Sequence, residues 1–184
     1  MRRLSVLPTL LAALLILTAA PARADETPVE APAVQHTPPA EAEASPPTGP
    51  VAELVVQALS FLGIPYRYGG QSRDTGLDCS ALVQQVFRDA LGLVLPRTTR
   101  DLAKVGEDVE RTSLKAGDLV FFNTRRRAFS HVGLYLGNNR FLHAPSKGGK
   151  VRVERLSTHY WASRFNGGRR VLTQADHQPT ASAI

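Results

Sequence analysis

Ser130-His131-Val132-Gly133-Leu134-Tyr135-Leu136-Gly137-Asn138-Asn139-Arg140-Phe141-Leu142-His143-Ala144 is the stretch whose reading decides the fold. Two apolar arms flank a Gly-Asn-Asn centre, a pattern that predicts a β-hairpin. Loop length then sets which way the side chains point, because successive residues of a strand face opposite sides of the sheet. With Asn138 and Asn139 as a two-residue loop, Gly137 pairs with Arg140, His143 opposes Leu134, and the two histidines lie on opposite faces. A three-residue loop of Gly137, Asn138 and Asn139 instead pairs Leu136 with Arg140 and sets Gly133 opposite His143. His131 and His143 then share one face as diagonal neighbours about 7–8 Å apart. Val132, Leu134, Leu136 and Leu142 take the other face, and Gly133 leaves room beside His143. This segregation favours the three-residue loop, and Asn suits its left-handed position.

Working outward from the hairpin, Leu119 to Phe122 follows Ala116-Gly117-Asp118 as a short apolar strand, and Val151 to Leu156 alternates as a further one. Upstream, Val51, Leu54, Val55, Ala58, Leu59 and Leu62 recur at helical spacing until Gly63-Ile64-Pro65 ends the pattern. Tyr66 to Leu77, rich in Gly and polar residues, reads as a loop. From Cys79 to Leu91 apolar residues cover two faces and Gly92 follows, which predicts a buried helix with Cys79 in its first turn. A shorter helix is expected near Arg100 to Val105. Helices followed by an antiparallel sheet define an α+β domain.

The ends of the chain have a different character. Arg2 and Arg3, the apolar run Leu4 to Ala20 and the small residues Ala22-Arg23-Ala24 read as a signal peptide over residues 1–24. The run is short for a membrane span, and no cysteine follows it to carry a lipid. Residues 25–50 are rich in Pro, Ala and Glu, with five acidic residues and no Lys or Arg, and are expected to be a disordered tether. That leaves one domain over residues 51–173, enough for a single core, and a polar tail over 174–184. From Val51 onward 19 Lys and Arg stand against 11 Asp and Glu, a net +8 beside the tether's −5. Such a surface suits an anionic polymer or serves solubility alone, and export argues against nucleic acid.

The chain has one cysteine, Cys79. An exported protein that uses cysteine for stability needs pairs, so a lone one is an apolar filler, half of an intermolecular bridge, or a reactive thiol. A helix start favours the thiolate through its unsatisfied N–H groups, so the thiol pKa is expected to be lowered, and the same groups can hold an oxyanion. Of the five histidines, His36 lies in the tether, His177 in the tail, and His159 beside Tyr160-Trp161 reads as a surface or packing residue. His131 and His143 remain. One can accept the thiol proton while the other holds its ring; spacing alone does not fix the order, and triad logic assigns His131 as base and His143 as orienter. Cys79 with two histidines could instead bind zinc, although zinc ligands seldom need a helix N-terminus. The reading as a thiol enzyme calls for no metal and no cofactor.

In order along the chain stand Tyr66-Arg67-Tyr68-Gly69-Gly70, Gly76-Leu77-Asp78-Cys79-Ser80, Leu95-Pro96-Arg97, Gly117-Asp118-Leu119-Val120-Phe121-Phe122, Ser130 to Gly137, and Phe141-Leu142-His143-Ala144. Together with the closing Tyr160-Trp161 and Arg169-Arg170, this series resembles the NlpC-type family of cell-wall cysteine peptidases, which has a papain-like fold. The resemblance implies Cys79 as nucleophile, His131 as base and His143 as third polar residue, in agreement with the reading above. It implies that Tyr66 lines the groove and that Asp78 and Ser80 hold polar groups of a substrate. The structural alternatives are a packed Tyr66 and an Asp78 that caps the helix. Arg97 and Ser130 are carried as groove residues, with a surface role as the alternative. Ala81 departs from the family, where glycine is common. The expected activity is hydrolysis of amide bonds in peptidoglycan stem peptides by a periplasmic or secreted monomer, with no stable membrane insertion after signal cleavage. Amide or acyl transfer to another envelope target, and a non-catalytic wall-binding module, are the other readings. Arg125-Arg126-Arg127 could attract stem-peptide carboxylates or be an exposed basic loop.

Overall fold

The computed structural model describes residues 47–172 apart from 125, 147 and 148. The chain divides into two units, Met1–Pro38 and Pro39–Ile184, and all described residues belong to the second. The expected signal peptide, most of the expected tether and the expected tail lie outside the described residues, as do His36, His177 and Arg125.

Helix α1 spans Pro50–Leu59, with proline in the first turn where its missing N–H costs nothing. It ends three residues before the expected Leu62. The chain tightens into i→i+3 bonds from Leu59 to Ile64, and this turn brings Phe61 fully inside while Leu62 stays exposed. The stretch expected as a loop contains two short strands, β1 (Gln71–Ser72) and β2 (Gly76–Leu77), paired antiparallel. Gly70 permits this, since a Cβ there would lie 2.3 Å from the Gly76 carbonyl oxygen. Helix α2 spans Cys79–Leu91, as the sequence predicts; Asp78 caps its start and Gly92 ends it in the left-handed conformation. The short α3 covers Thr99–Leu102 behind a Thr98 cap.

The remaining elements are β3 (Glu107–Val109), β4 (Leu119–Phe122), β5 (His131–Gly137), β6 (Arg140–His143), β7 (Arg152–Arg155), α4 (His159–Ala162) and β8 (Phe165–Arg170). Strands β3 to β8 form one antiparallel sheet in the order β3-β8-β4-β5-β6-β7. Strand β8, which sequence pattern did not reveal, lies between β3 and β4. Its end is fastened by Arg170, whose Nε and Nη2 donate to the two oxygens of buried Asp118 at 2.8 and 2.7 Å.

The β5–β6 hairpin corrects the expected loop. Gly137 pairs with Arg140 across a two-residue turn in which Asn138 and Asn139 both have positive φ, 48° and 56°. The register then shifts between Tyr135 and Gly137, so that Tyr135 pairs with Phe141 and Leu134 with Leu142. One extra residue on β5 acts as a β-bulge and restores the alternation that a two-residue turn alone would invert. The arms therefore meet in the expected register by a different device.

Val132, Leu134 and Leu142 enter the main core with Leu54, Ala58 and Phe61 from the first helical region and Leu82, Val83, Val86 and Phe87 of α2. A smaller cluster of Val120, Phe122, Phe141, Leu156 and Trp161 is separate from it. Each large apolar side chain so enclosed contributes about 1.5–3 kcal/mol. Among the described residues, no helix is long and apolar enough to cross a membrane.

Candidate active site

Cys79 is the first residue of α2 and pairs with no other cysteine. Burial pushes its thiol up to about 11; the Val132 N–H opposes the shift, the Asp78 carboxylate adds to it, and the N–H groups of Ser80 and Cys79 itself oppose it. The helix-start donors act with the expected sign, but removing a developing charge from water outweighs them. The expected lowering is thus corrected in direction: enclosure raises the thiol above its ordinary value. The Val132 backbone lies close enough to act on the thiol. With Leu134 opposite Leu142, residue 144 is the one opposite Val132, and β6 has ended at His143. The β5 edge at Val132 is thereby available to Cys79 beside His131.

His131 opens β5 and His143 closes β6. His131 Nε2 lies 2.9 Å from His143 Nδ1, and the rings stand perpendicular with centroids 5.1 Å apart. Trp161 stacks on His131, 5.6 Å between centroids at 22°, and presents an edge to His143 at 4.9 Å. His143 is fully enclosed. Burial lowers its pKa to about 4 although Glu154 pulls the other way, so at neutral pH it is an uncharged ring with one N–H to place. Gly133 makes this packing possible: a Cβ there would lie 2.7 Å from Phe141 Cδ2 and 3.3 Å from His143 Cβ.

The other expected site residues divide. Asp78, Ser80 and Arg97 meet in one network at the start of α2. Arg97 Nη1 donates to Asp78 Oδ1 at 2.9 Å and to Ser80 Oγ at 2.6 Å, and Nη2 donates to Asp78 Oδ2 at 2.6 Å. Asp78 Oδ1 also accepts the Ala81 N–H at 2.8 Å, so the capping role holds. Tyr66 is half-buried against the main core and bridges to Leu77, two residues before the cysteine. Ser130 closes the loop leading into β5: its Oγ accepts the Thr124 N–H at 2.9 Å. Ala81 is buried in the main core. His159 is exposed, as expected of a surface residue. Among the described residues no three His, Cys, Asp or Glu side chains are grouped to hold a metal ion.

Two neighbours of the histidines were given no place at the site by the sequence reading: Trp161, which entered it only as part of the pair Tyr160-Trp161, and Glu154. Glu154 Oε1 lies 3.3 Å from the buried Nε2 of His143, too loose for a well-formed hydrogen bond, and that nitrogen has no bonded partner among the described residues. Glu154 also accepts from Trp161 Nε1 and from the Arg152 guanidinium. Burial would raise its pKa, but Trp161, Arg152 and His143 together hold it below the ordinary value. The signal was present in the alternation of Val151 to Leu156, yet only the pairing of His143 with Arg152 and Phe141 with Glu154 turns it into proximity.

An α+β domain whose helices precede an antiparallel sheet, with a cysteine opening a helix that packs on the strand carrying His131, is papain-like in fold. The chain belongs to the NlpC/P60 family, whose sequence pattern matches residues 63–170. It is 44% identical over 142 residues to the gamma-DL-glutamyl hydrolase of Bacillus subtilis, covering 76% of this chain and 34% of that protein. It is 39% identical over 124 residues to the murein DD-endopeptidase MepS/murein LD-carboxypeptidase of Escherichia coli K12, covering 67% of this chain and 64% of that one. The chain thus spans between about a third and two thirds of the length of these two relatives. A crystal structure of an NlpC/P60 family protein from Bacillus cereus superimposes with a TM-score of 0.63 at 29% identity, covering 69% of this chain and 42% of that one.

Proposed function

We propose that the protein is a peptidoglycan endopeptidase, periplasmic or secreted, that hydrolyses amide bonds of stem peptides through Cys79, His131 and His143. The observation that carries this reading is the 2.9 Å contact between two buried imidazoles, one of them next in sequence to Val132, whose backbone acts on the thiol of the cysteine at a helix start. The thiol proton passes to His131 as sulfur attacks the carbonyl carbon. The resulting oxyanion is suited to the Cys79 N–H. His131 then gives that proton to the leaving amine, the C–N bond breaks, and a thioester remains. Water loses a proton to His131 and attacks the thioester; the acyl group leaves as a carboxylic acid and the thiol is restored. Burial raises the free thiol above its ordinary value, which favours transfer of its proton to His131 in step with attack.

The substrate class is supported by two further facts. Relatives in the family include proteins named for murein and for gamma-DL-glutamyl bonds. The net +8 of residues 51–184 complements carboxylate-rich peptides. Asp78, Ser80 and Arg97, cross-linked at the helix start, make a fixed polar wall for the peptide, with Tyr66 and Ser130 as further groove residues. The test is mass spectrometry of muropeptides incubated with the purified protein. New amino and carboxyl termini are expected at one stem-peptide bond, and their masses separate a D-D bond from a γ-glutamyl one. Cys79→Ala should abolish all products; cleavage that survives it would refute the mechanism.

A further inference from the structure

His131 can take a proton from Cys79 only if its own proton sits on the nitrogen that faces away. Its Nε2 is committed to His143 Nδ1 at 2.9 Å, so the productive arrangement has Nε2–H donating and His143 Nδ1 accepting. Neutral His143 has a single proton, and accepting at Nδ1 forces that proton to Nε2. The opposite arrangement, His143 protonated at Nδ1, would donate to His131 Nε2 and drive the His131 proton onto Nδ1, where it blocks the base. One tautomer of a fully buried ring therefore decides whether the site works.

Glu154 stands at the nitrogen in question, with Oε1 3.3 Å from His143 Nε2. We propose that Glu154 is a positioning residue whose carboxylate holds the His143 proton on Nε2 and so keeps His131 able to act as a base; this rests on the catalytic reading above. Two donors hold its oxygens, Trp161 Nε1–H on Oε2 and the Arg152 guanidinium on Oε1, and the third nitrogen, His143 Nε2, faces Oε1 at 3.3 Å. Trp161 and Arg152 aim the carboxylate, and Trp161 also stacks on His131, so one indole orders both ends of the chain of groups. A carboxylate can serve all three groups; an amide, with one acceptor oxygen and one donor nitrogen, cannot.

The experiment uses the full chain and begins with wild type. The imidazole carbon and nitrogen chemical shifts of His143 should report an Nε2–H ring at pH 7, and an Nδ1–H ring would overturn the proposal without any variant. In Glu154→Gln the ring should shift toward Nδ1–H. Muropeptide kcat should then fall on the order of tenfold to a hundredfold with KM unchanged, and alkylation of Cys79 by iodoacetamide should slow at pH 7. An unchanged tautomer in Glu154→Gln, or unchanged kcat and alkylation, would overturn it. If wild type releases no muropeptide product, the endopeptidase reading fails, while tautomer and alkylation still decide the role of Glu154.

Discussion

The two faces of the β5–β6 hairpin are made by alternate residues of the same two strands, yet they do opposite work. On one face Val132, Leu134 and Leu142 join the helices in a dry core. On the other, His131 and His143 stand against Trp161 and Phe141, in touch with a small aromatic cluster. The first face needs only apolar volume, which many residues supply. The second needs particular atoms at particular distances, and the rigidity of the first supplies the frame that keeps them there. A single bulge residue between Tyr135 and Gly137 sorts the side chains to these faces.

Breaking each face separately should produce effects of different kinds. His131→Ala is expected to lower muropeptide cleavage on the order of 10²- to 10⁴-fold, the contribution of a general acid–base group. Leu134→Ala, on the dry face, should cost about 2–5 kcal/mol of stability through the cavity it leaves, with the folded fraction still active. Urea unfolding and initial rates on the same samples separate the two. Equal loss of activity per folded molecule in both variants would erase the distinction between the faces.

Lowering the pH should sharpen it. The pKa of folded His143, about 4, lies below its ordinary 6.5. Above 6.5 neither state binds the proton and the full contribution is present. Between 6.5 and 4 the unfolded chain binds a proton that the folded one excludes, so stability falls as pH falls, and below 4 this loss stops. The shift corresponds to about 3 kcal/mol. Denaturant titrations at pH 7 and pH 4 should show that loss in wild type and lack it in His143→Asn. Glu154, held below its ordinary value, adds a further loss at the acid end of the range. The dry face contributes no titrating group.

These faces also show which parts of the molecule a sequence can reveal. Helix α2 was legible to the residue, because apolar positions, Asp78 and Gly92 agree locally. The shared face of the histidines was legible from alternation, but the turn was not: Gly-Asn-Asn fits a three-residue loop as well as a two-residue turn preceded by a bulge. Strand β8 was hidden because Phe-Asn-Gly-Gly-Arg-Arg lacks apolar alternation. Its Gly168 serves close packing, where a Cβ would meet Leu114 and the Val109 carbonyl oxygen at 2.9 Å. Glu154 was invisible because a carboxylate on a strand means nothing until the partner strand and register are known. The sign of the Cys79 shift was missed for a related reason: helix-start donors are written in local sequence, whereas desolvation comes from everything folded over it.

Gly133 is where the faces meet, and its replacement is the finest test of the comparison. Gly133→Ala adds one methyl at a site where Phe141 Cδ2 and the Leu142 carbonyl oxygen would be 2.7 and 2.8 Å away. A phenyl ring can tilt, but the carbonyl belongs to the backbone of β6, so relief requires that strand to move outward and carry His143 with it. Overpacking of this kind costs about 1–3 kcal/mol, less than the cavity expected from Leu134→Ala. The activity should fall out of proportion, by up to about a hundredfold, because the imidazole contact tolerates displacement far less well than apolar packing does. The split between kcat and KM decides the matter. A fall in kcat at constant KM places the damage at the imidazole pair, whereas a stability loss of the expected size with kcat intact would mean that the exact spacing of the two rings does not govern the reaction.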